Sequence, residues 1–259
     1  MSRVKVFIDV YYYKAALSGI RTYINELTLA ATTHGSENIE YIFSHDINKL
    51  SNNQFYLNSS NQLIRWLFQL NYFIWKQLIL PFKLLLHRPD YLICPDYISP
   101  MFSFNTKKIT VIHDSLFWDY PKNYSFIWRK YFLTLINLGI DNKTQVITTS
   151  NYSKKNLLKV IKKTTLIDYI YQSFENVLDS KNNLESKLQL PESYILHIGS
   201  FEKRKDLITL VKAFHVLKKK ESNNKIKLVL AGAQVVNGNK KMIKQIKRYI
   251  LNNDLENEI

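Results

Sequence analysis

Short runs of β-branched and aromatic residues alternate along this chain with stretches of helical apolar period, and that alternation restricts its fold more than any other feature. Val4 to Val10 reads as a first strand. Others are expected at Glu40–Phe43, Tyr91–Cys94, Ile109–His113, Gln145–Thr149 and Leu166–Tyr171. A helix from about Gly19 places Ile20, Tyr23, Ile24, Leu27 and Ala31 on one face and meets Gly35 as a stop signal. Further helices are expected at about 62–86, 124–139 and 151–162. Strands joined by crossover helices form a parallel sheet covered by helices, so six of them make a complete doubly wound α/β unit.

The polar stretch Glu175–Glu192 has no strong apolar period and separates this unit from a restart of the pattern. The restart has a strand at Tyr194–Ile198, a helix at Asp206–Lys219 with Asp206 as its N-cap, a strand at Lys227–Leu230 and a helix at about 240–251. The chain of 259 residues therefore reads as a Rossmann-like domain over 1–174, a linker over 175–191 and a partial Rossmann-like domain over 192–259. Two strands and two helices are too few for a free-standing doubly wound domain, so apolar surface there is expected to lack cover.

Composition removes several classes of protein. One cysteine, Cys94, precludes an internal disulfide, and six Gly with six Pro leave little low-complexity linker. The net charge of +15 and pI near 9.6 favour an anionic partner without choosing one. Basic residues outnumber acidic ones by 20 to 12 through Glu175 and by 16 to 9 after it, so the charge is spread over both halves. No nucleic-acid motif accompanies it, and no nucleic-acid partner is expected. The apolar run at the N-terminus is stopped by Asp9, too early for a signal peptide. The most apolar region, Leu63–Leu86, is interrupted by Arg65, Asn71, Lys76, Pro81 and Lys83 and does not read as a spanning helix. It reads either as a core helix of the first domain, which its mixed periodicity favours, or as a helix resting on an anionic membrane with Trp66 and Trp75 at the interface. A cytoplasmic protein, in peripheral contact with the inner membrane face at most, is the expectation.

Three places carry chemistry. Ser18-Gly19-Ile20-Arg21 lies where the first strand turns into the first helix, where glycine permits close backbone approach and free N–H groups attract phosphate. His113-Asp114 ends an apolar strand at the sheet edge where α/β proteins bind ligands; His45-Asp46 follows an apolar run in the same way. Lys203-Arg204-Lys205 precedes a helix start, where cations oppose the helix dipole unless an anion arrives. A diphosphate would supply that anion. Neither G-x-G-x-x-G nor a P-loop occurs, and His34, His87, His197 and His215 show no metal-ligand spacing.

Taken together, Ile8-Asp9, Ser18-Gly19-Ile20-Arg21-Thr22-Tyr23, Trp75-Lys76-Gln77 before Leu80-Pro81, Asp96-Tyr97-Ile98-Ser99-Pro100, Val111-Ile112-His113-Asp114, Thr149-Ser150-Asn151-Tyr152-Ser153-Lys154, Tyr194–Gly199, Arg204-Lys205-Asp206 and Leu228–Gly232 occur in a familiar order. The chain resembles the family 4 glycosyltransferases, retaining enzymes of the GT-B fold, and especially their mannosyltransferase-like members. That resemblance implies a nucleotide-sugar donor, GDP-mannose or a UDP-sugar, with no required metal or other cofactor. It implies a glycan or lipid-linked acceptor in cell-surface polysaccharide synthesis. It places Gly19, Arg204 and Lys205 at the donor diphosphate and His113 as the catalytic histidine near the transferred sugar, with Asp114 as a sugar or acceptor contact. Lys203 and Asp206 stand where the family usually carries Pro and Asn. The family's pair of glutamates separated by seven residues does not occur before Ile259, so the resemblance also implies a C-terminally truncated, poorly active member. A non-catalytic anion-binding protein, for RNA or an acidic membrane surface, is the alternative from charge alone.

Overall fold

The computed structural model describes residues 3–16, 18–50, 62–164, 166–173, 190–220, 225–232 and 240–259. Most of the expected linker, 175–189, lies outside them. The chain divides into two units, Met1–Val177 and Leu178–Ile259.

In the first unit six parallel strands form one sheet: β1 (Val4–Ile8), β2 (Ile39–Phe43), β3 (Tyr91–Cys94), β4 (Lys107–Val111), β5 (Gln145–Thr148) and β6 (Ile167–Tyr169). Their order is β2-β1-β3-β4-β5-β6. Val6 stands opposite Tyr41 of β2 on one side and Tyr91 of β3 on the other, so the order reverses between β1 and β3. Both faces of the sheet are covered, as a parallel sheet requires. Successive β1 residues divide between them: Phe7 packs with Leu92, Ile112 and Ile136 on one side, Val6 and Ile8 with Ile24 of α1 (Ser18–Thr33) on the other.

The apolar region between β2 and β3 is a helix of three pieces: α2 (Gln62–Ile74), a π-helical turn (Trp75–Ile79) and α3 (Leu80–His87). Pro81 explains the interruption. It has no N–H for the Gln77 carbonyl and its ring crowds that carbonyl, so the turn before it widens and the Leu80 N–H reaches back to the Trp75 carbonyl. The wide turn carries three consecutive residues, Trp75, Lys76 and Gln77, into the interior. Trp75 is therefore a core residue and not an interfacial one, whereas Trp66 is 60% exposed. A short helix α4 (Leu116–Asp119) follows β4, and α5 (Phe126–Gly139) and α6 (Asn151–Val160) flank β5. Ser125 and Ser150 cap the last two, accepting from the backbone N–H groups of Trp128 and Ser153.

In the second unit β7 (Tyr194–Ile198) and β8 (Lys227–Ala231) pair in parallel, with α7 (Leu207–Lys220) and α8 (Lys240–Leu251). Leu207, Val211, Phe214, Leu228 and Ile246 form its core. Two glycines meet at the strand ends: a Cβ on Gly232 would lie 1.7 Å from the Gly199 carbonyl oxygen. Asp206 does not have the extended conformation of an N-cap. Its φ is 47°, and it turns the chain from a 3-10 turn (Lys203–Lys205) into α7 while its carbonyl accepts from the Thr209 N–H. The lack of cover expected for this unit is found on β7, where Tyr194, Ile195, Leu196 and Ile198 are all exposed.

Candidate functional site

Ligands of doubly wound sheets sit at the carboxyl ends of the strands where the order reverses. Here that point lies between Asp9, which follows β1, and Asp96, which follows β3. Lys76 is inserted between them, its Nζ 2.7 Å from Asp9 Oδ2 and 2.6 Å from Asp96 Oδ1. All three side chains are buried. Trp75 Nε1 and the Tyr11 N–H donate to Asp9, and the Tyr72 hydroxyl donates to Asp96 at 2.7 Å. Two buried carboxylates share one ammonium, so they cannot ionise equally. Burial opposes the Asp9 charge, but the Lys76 charge and the donors around it outweigh burial and hold its pKa below the usual value. For Asp96 burial prevails, with the Asp9 charge adding to it, and its pKa rises to about 6.

A carboxyl whose folded-state pKa is raised contributes stability below its unfolded value, near pH 4, and loses it as the pH climbs through the folded value. Relative to the Asp96→Asn variant, the wild-type chain should therefore lose stability between about pH 4 and about 6 and level off above that. Urea melts of both across this range read the difference, and a parallel pair of curves would refute the assignment.

His113 stands two residues past β4. Its Nε2 lies 2.8 Å from the Pro95 carbonyl and its Nδ1 3.3 Å from Gln172 Nε2. A carbonyl can only accept, which fixes the proton on Nε2 and leaves Nδ1 as the acceptor. Burial lowers its pKa despite the Pro95 bond and nearby Asp114, so the ring is neutral at pH 7, and Nδ1 can accept from a hydroxyl that replaces the exposed Gln172 amide. Tyr23 of α1 meets the ring edge-on at 4.9 Å between centroids. Gly19 lies one turn before Tyr23 on the same helix, so the sheet edge brings Gly19 and His113 into one neighbourhood of the first unit. Asp114 accepts from the Leu116 N–H and bonds the Tyr97 hydroxyl, whose pKa burial and Asp114 raise. Tyr97 itself has a φ of 71°, a strained conformation for a residue with a side chain, beside His113. Sequence reasoning gave Tyr97 no role of its own. It named Arg21 within the Ser18–Arg21 motif without a role of its own; the side chain lies over the Tyr13 ring near the start of α1.

Gly19 is exposed in the first turn of α1, and a Cβ built there meets nothing within 4 Å. Glycine is thus not needed for packing. Gly19→Ala should leave the first unit as stable or more so, by up to about 1 kcal/mol, as thermal melting would show. A drop in ligand affinity without loss of stability would mark Gly19 as a place of close ligand approach, and a destabilised fold would contradict the open space.

In the second unit Arg204 and Lys205 occupy the turn leading into α7. The cation–dipole conflict expected there is partly relieved by Glu202, whose Oε2 lies 2.6 Å from Arg204 Nε. Burial would raise the Glu202 pKa, but Ser200 and Arg204 hold it below the usual value. Lys205 is exposed, and its N–H donates to the Glu202 carbonyl. Gly19, His113 and Asp114 thus belong to the first unit, Arg204 and Lys205 to the second. Among the described residues no group of three or more His, Cys, Asp or Glu could hold a metal ion.

The segment that holds Arg204 and Lys205 is also the one that a family model matches. Residues 180–259 match the family model described as glycosyl transferases group 1. No curated protein is similar enough in sequence to count as a match. The fold is similar to that of sucrose-phosphate synthase from Thermosynechococcus elongatus, with a TM-score of 0.54 at 15% identity over 99% of this chain and 69% of that one. The architecture is accordingly of the GT-B type, a six-stranded Rossmann-like unit followed by a second α/β unit whose sequence matches the glycosyl transferases group 1 model. Weaker similarities are to an S. aureus TarM mutant in complex with Fondaparinux, alpha-GlcNAc-glycerol and UDP (TM-score 0.39, 16% identity, 65% of this chain and 31% of that one) and to S. aureus MnaA with UDP (0.44, 12%, 97% and 66%). The chain spans less than two thirds of the length of these last two.

Proposed function

We propose that this chain serves a glycosyltransferase that moves a mannose-like sugar, with retention, from GDP-mannose or a UDP-sugar to a glycan or lipid-linked acceptor. The observation that carries the reading is the coincidence of the glycosyl transferases group 1 match with the exposed Arg204–Lys205 pair at the start of α7. Departure of the nucleotide builds negative charge on the β-phosphate. Fixed cations and helix N–H donors stabilise that charge more than they stabilise the bound donor, which is the condition for acceleration. His113, neutral with Nδ1 as acceptor, is suited to take a hydrogen bond from a hydroxyl of the sugar. Gly19 leaves the start of α1 open to a diphosphate, and Asp114 stands beside His113 for the sugar or the acceptor. No metal or other cofactor is part of this reading.

Thermal melting of the full chain with GDP-mannose, UDP-sugars and free mannose tests it. A nucleotide-sugar at a hundred times its dissociation constant stabilises by about 2.7 kcal/mol, and free mannose should not. Stabilisation by none of the nucleotide-sugars, together with no transfer of labelled sugar to lipid-linked acceptors, would refute it.

A further inference from the structure

Residues 94–100 leave the end of β3 and pass through the interior beside His113, all of them buried. Three consecutive members of this segment bear on the imidazole. The Pro95 carbonyl accepts the Nε2 proton at 2.8 Å. The Tyr97 ring lies 5.4 Å from the imidazole between centroids, and the Tyr97 N–H donates to the carbonyl of Val111, two residues before His113. Between them, Asp96 is held at both carboxylate oxygens, Oδ1 by the Lys76 ammonium at 2.6 Å and Oδ2 by the Tyr72 hydroxyl at 2.7 Å. Tyr72 and Lys76 are four residues apart, neighbours on one side of a helix. Lys76 is tied in turn to Asp9 beyond the end of β1.

The Pro95 carbonyl and the Asp96 N–H belong to one rigid peptide plane. Proline fixes its own φ, so the tilt of that plane depends on the Pro95 ψ and the Asp96 φ. A side chain locked at two atoms restrains the second of these. Tyr97 follows with a φ of 71°, and a turn carrying such strain persists only where its surroundings hold it. Apolar residues of similar volume often stabilise a core as well as a buried ionic cluster does, so stability alone gives little reason for this one. Holding the 95–97 turn in place does. The His113 main chain is secured separately, by the Thr149 hydroxyl at 2.8 Å from its carbonyl, so loss of the Asp96 anchor frees the ring first. We propose that Asp96, backed by Lys76 and Tyr72, is a positioning residue: it sets the Pro95 carbonyl that keeps the His113 proton on Nε2 and leaves Nδ1 to accept from substrate. The use of Nδ1 rests on the glycosyl-transfer reading, whereas the fixing of the ring does not.

In nitrogen NMR of the labelled full chain, His113 should show one protonated and one unprotonated ring nitrogen, assigned by their disappearance in His113→Asn. Asp96→Ala leaves Lys76 paired with Asp9 alone and should draw the two shifts together as the tautomers mix. Tyr72→Phe removes one donor and no charge, and should move them the same way by less. Val6→Ala opens a cavity in the separate core around Ile24; it should lower the melting temperature and leave both shifts unchanged. Under the proposed chemistry Asp96→Ala should also lower kcat and kcat/KM together, by up to about 10²-fold, as a misplaced group does. A mixed pair of shifts in the wild type, unaltered shifts in Asp96→Ala, or equal changes in Val6→Ala would overturn the proposal. Shifts that merge as expected in a chain that transfers no sugar would support the anchor and remove only the glycosyl-transfer reading.

Discussion

Replacing Lys76 with methionine is expected to destabilise the first unit by about 3–5 kcal/mol, because it leaves two carboxylates buried without their cation. For a unit of this size that is a fall of roughly 6–20 °C in melting temperature. Methionine fills a similar volume, so the loss reports charge more than packing. Burial alone would discharge Lys76, but Asp9 and Asp96 overcome it and raise its pKa, which keeps the ammonium charged at any pH where the fold is studied. Adding Asp9→Asn and Asp96→Asn to Lys76→Met should restore much of the stability, since a removed ionic cluster is far less harmful than a broken one. Circular-dichroism melts of the three chains decide the matter, and a single Lys76→Met variant that melts with the wild type would contradict the triad.

The second large effect concerns turnover. Under the proposed chemistry, replacing Arg204 and Lys205 together with alanine should lower kcat/KM for sugar transfer by at least about 10²–10³-fold, the usual consequence of losing even one preorganised donor to a developing anion. Most of the loss should fall on kcat, because the charge on the leaving diphosphate is greatest in the transition state. Stability should change little: Arg204 is partly exposed and its pair with Glu202 is worth about 0–1 kcal/mol. Lys219→Ala, which removes an exposed cation at the other end of α7, is the control for bulk charge. Equal rates for the double alanine variant and this control would show that the Arg204–Lys205 turn is an ordinary solvated surface.

Much of the architecture is legible in the sequence because strand and helix periods are local. Tyr91–Cys94 and Tyr194–Ile198 are found where β-branched and aromatic runs place them, and the helix from Ser18 buries the Ile24 its period puts inward. The π-helical turn was not legible as such, although its cause, Pro81, stood in plain view as an interruption. The buried ionic triad escaped for a different reason. Asp9, Lys76 and Asp96 are far apart in sequence, and each alone looks like a polar end of an apolar run. The usable signal was position: Lys76 stands four residues after Tyr72 and four before Leu80, on the side of the helix that faces the core. The proximity of Gly19 and His113 passes through Tyr23, a contact between α1 and the loop after β4 that only the folded sheet creates. Glu202 was in the sequence beside the cations but was not weighed as their counter-ion.

The bareness of β7 bears on how the second unit would respond to a ligand. Among the described residues only a handful of side chains are fully withdrawn from water there, and the turn into α7 is held by a surface ion pair and a left-handed aspartate. A segment with so shallow a reserve opens often, and an anion seated at the helix start would draw on the same free energy that keeps the segment closed. Affinity at that turn and protection of its backbone from exchange should consequently rise and fall as one quantity. A substitution anywhere among Leu207, Val211 and Phe214 then becomes a dial on ligand binding without touching the ligand.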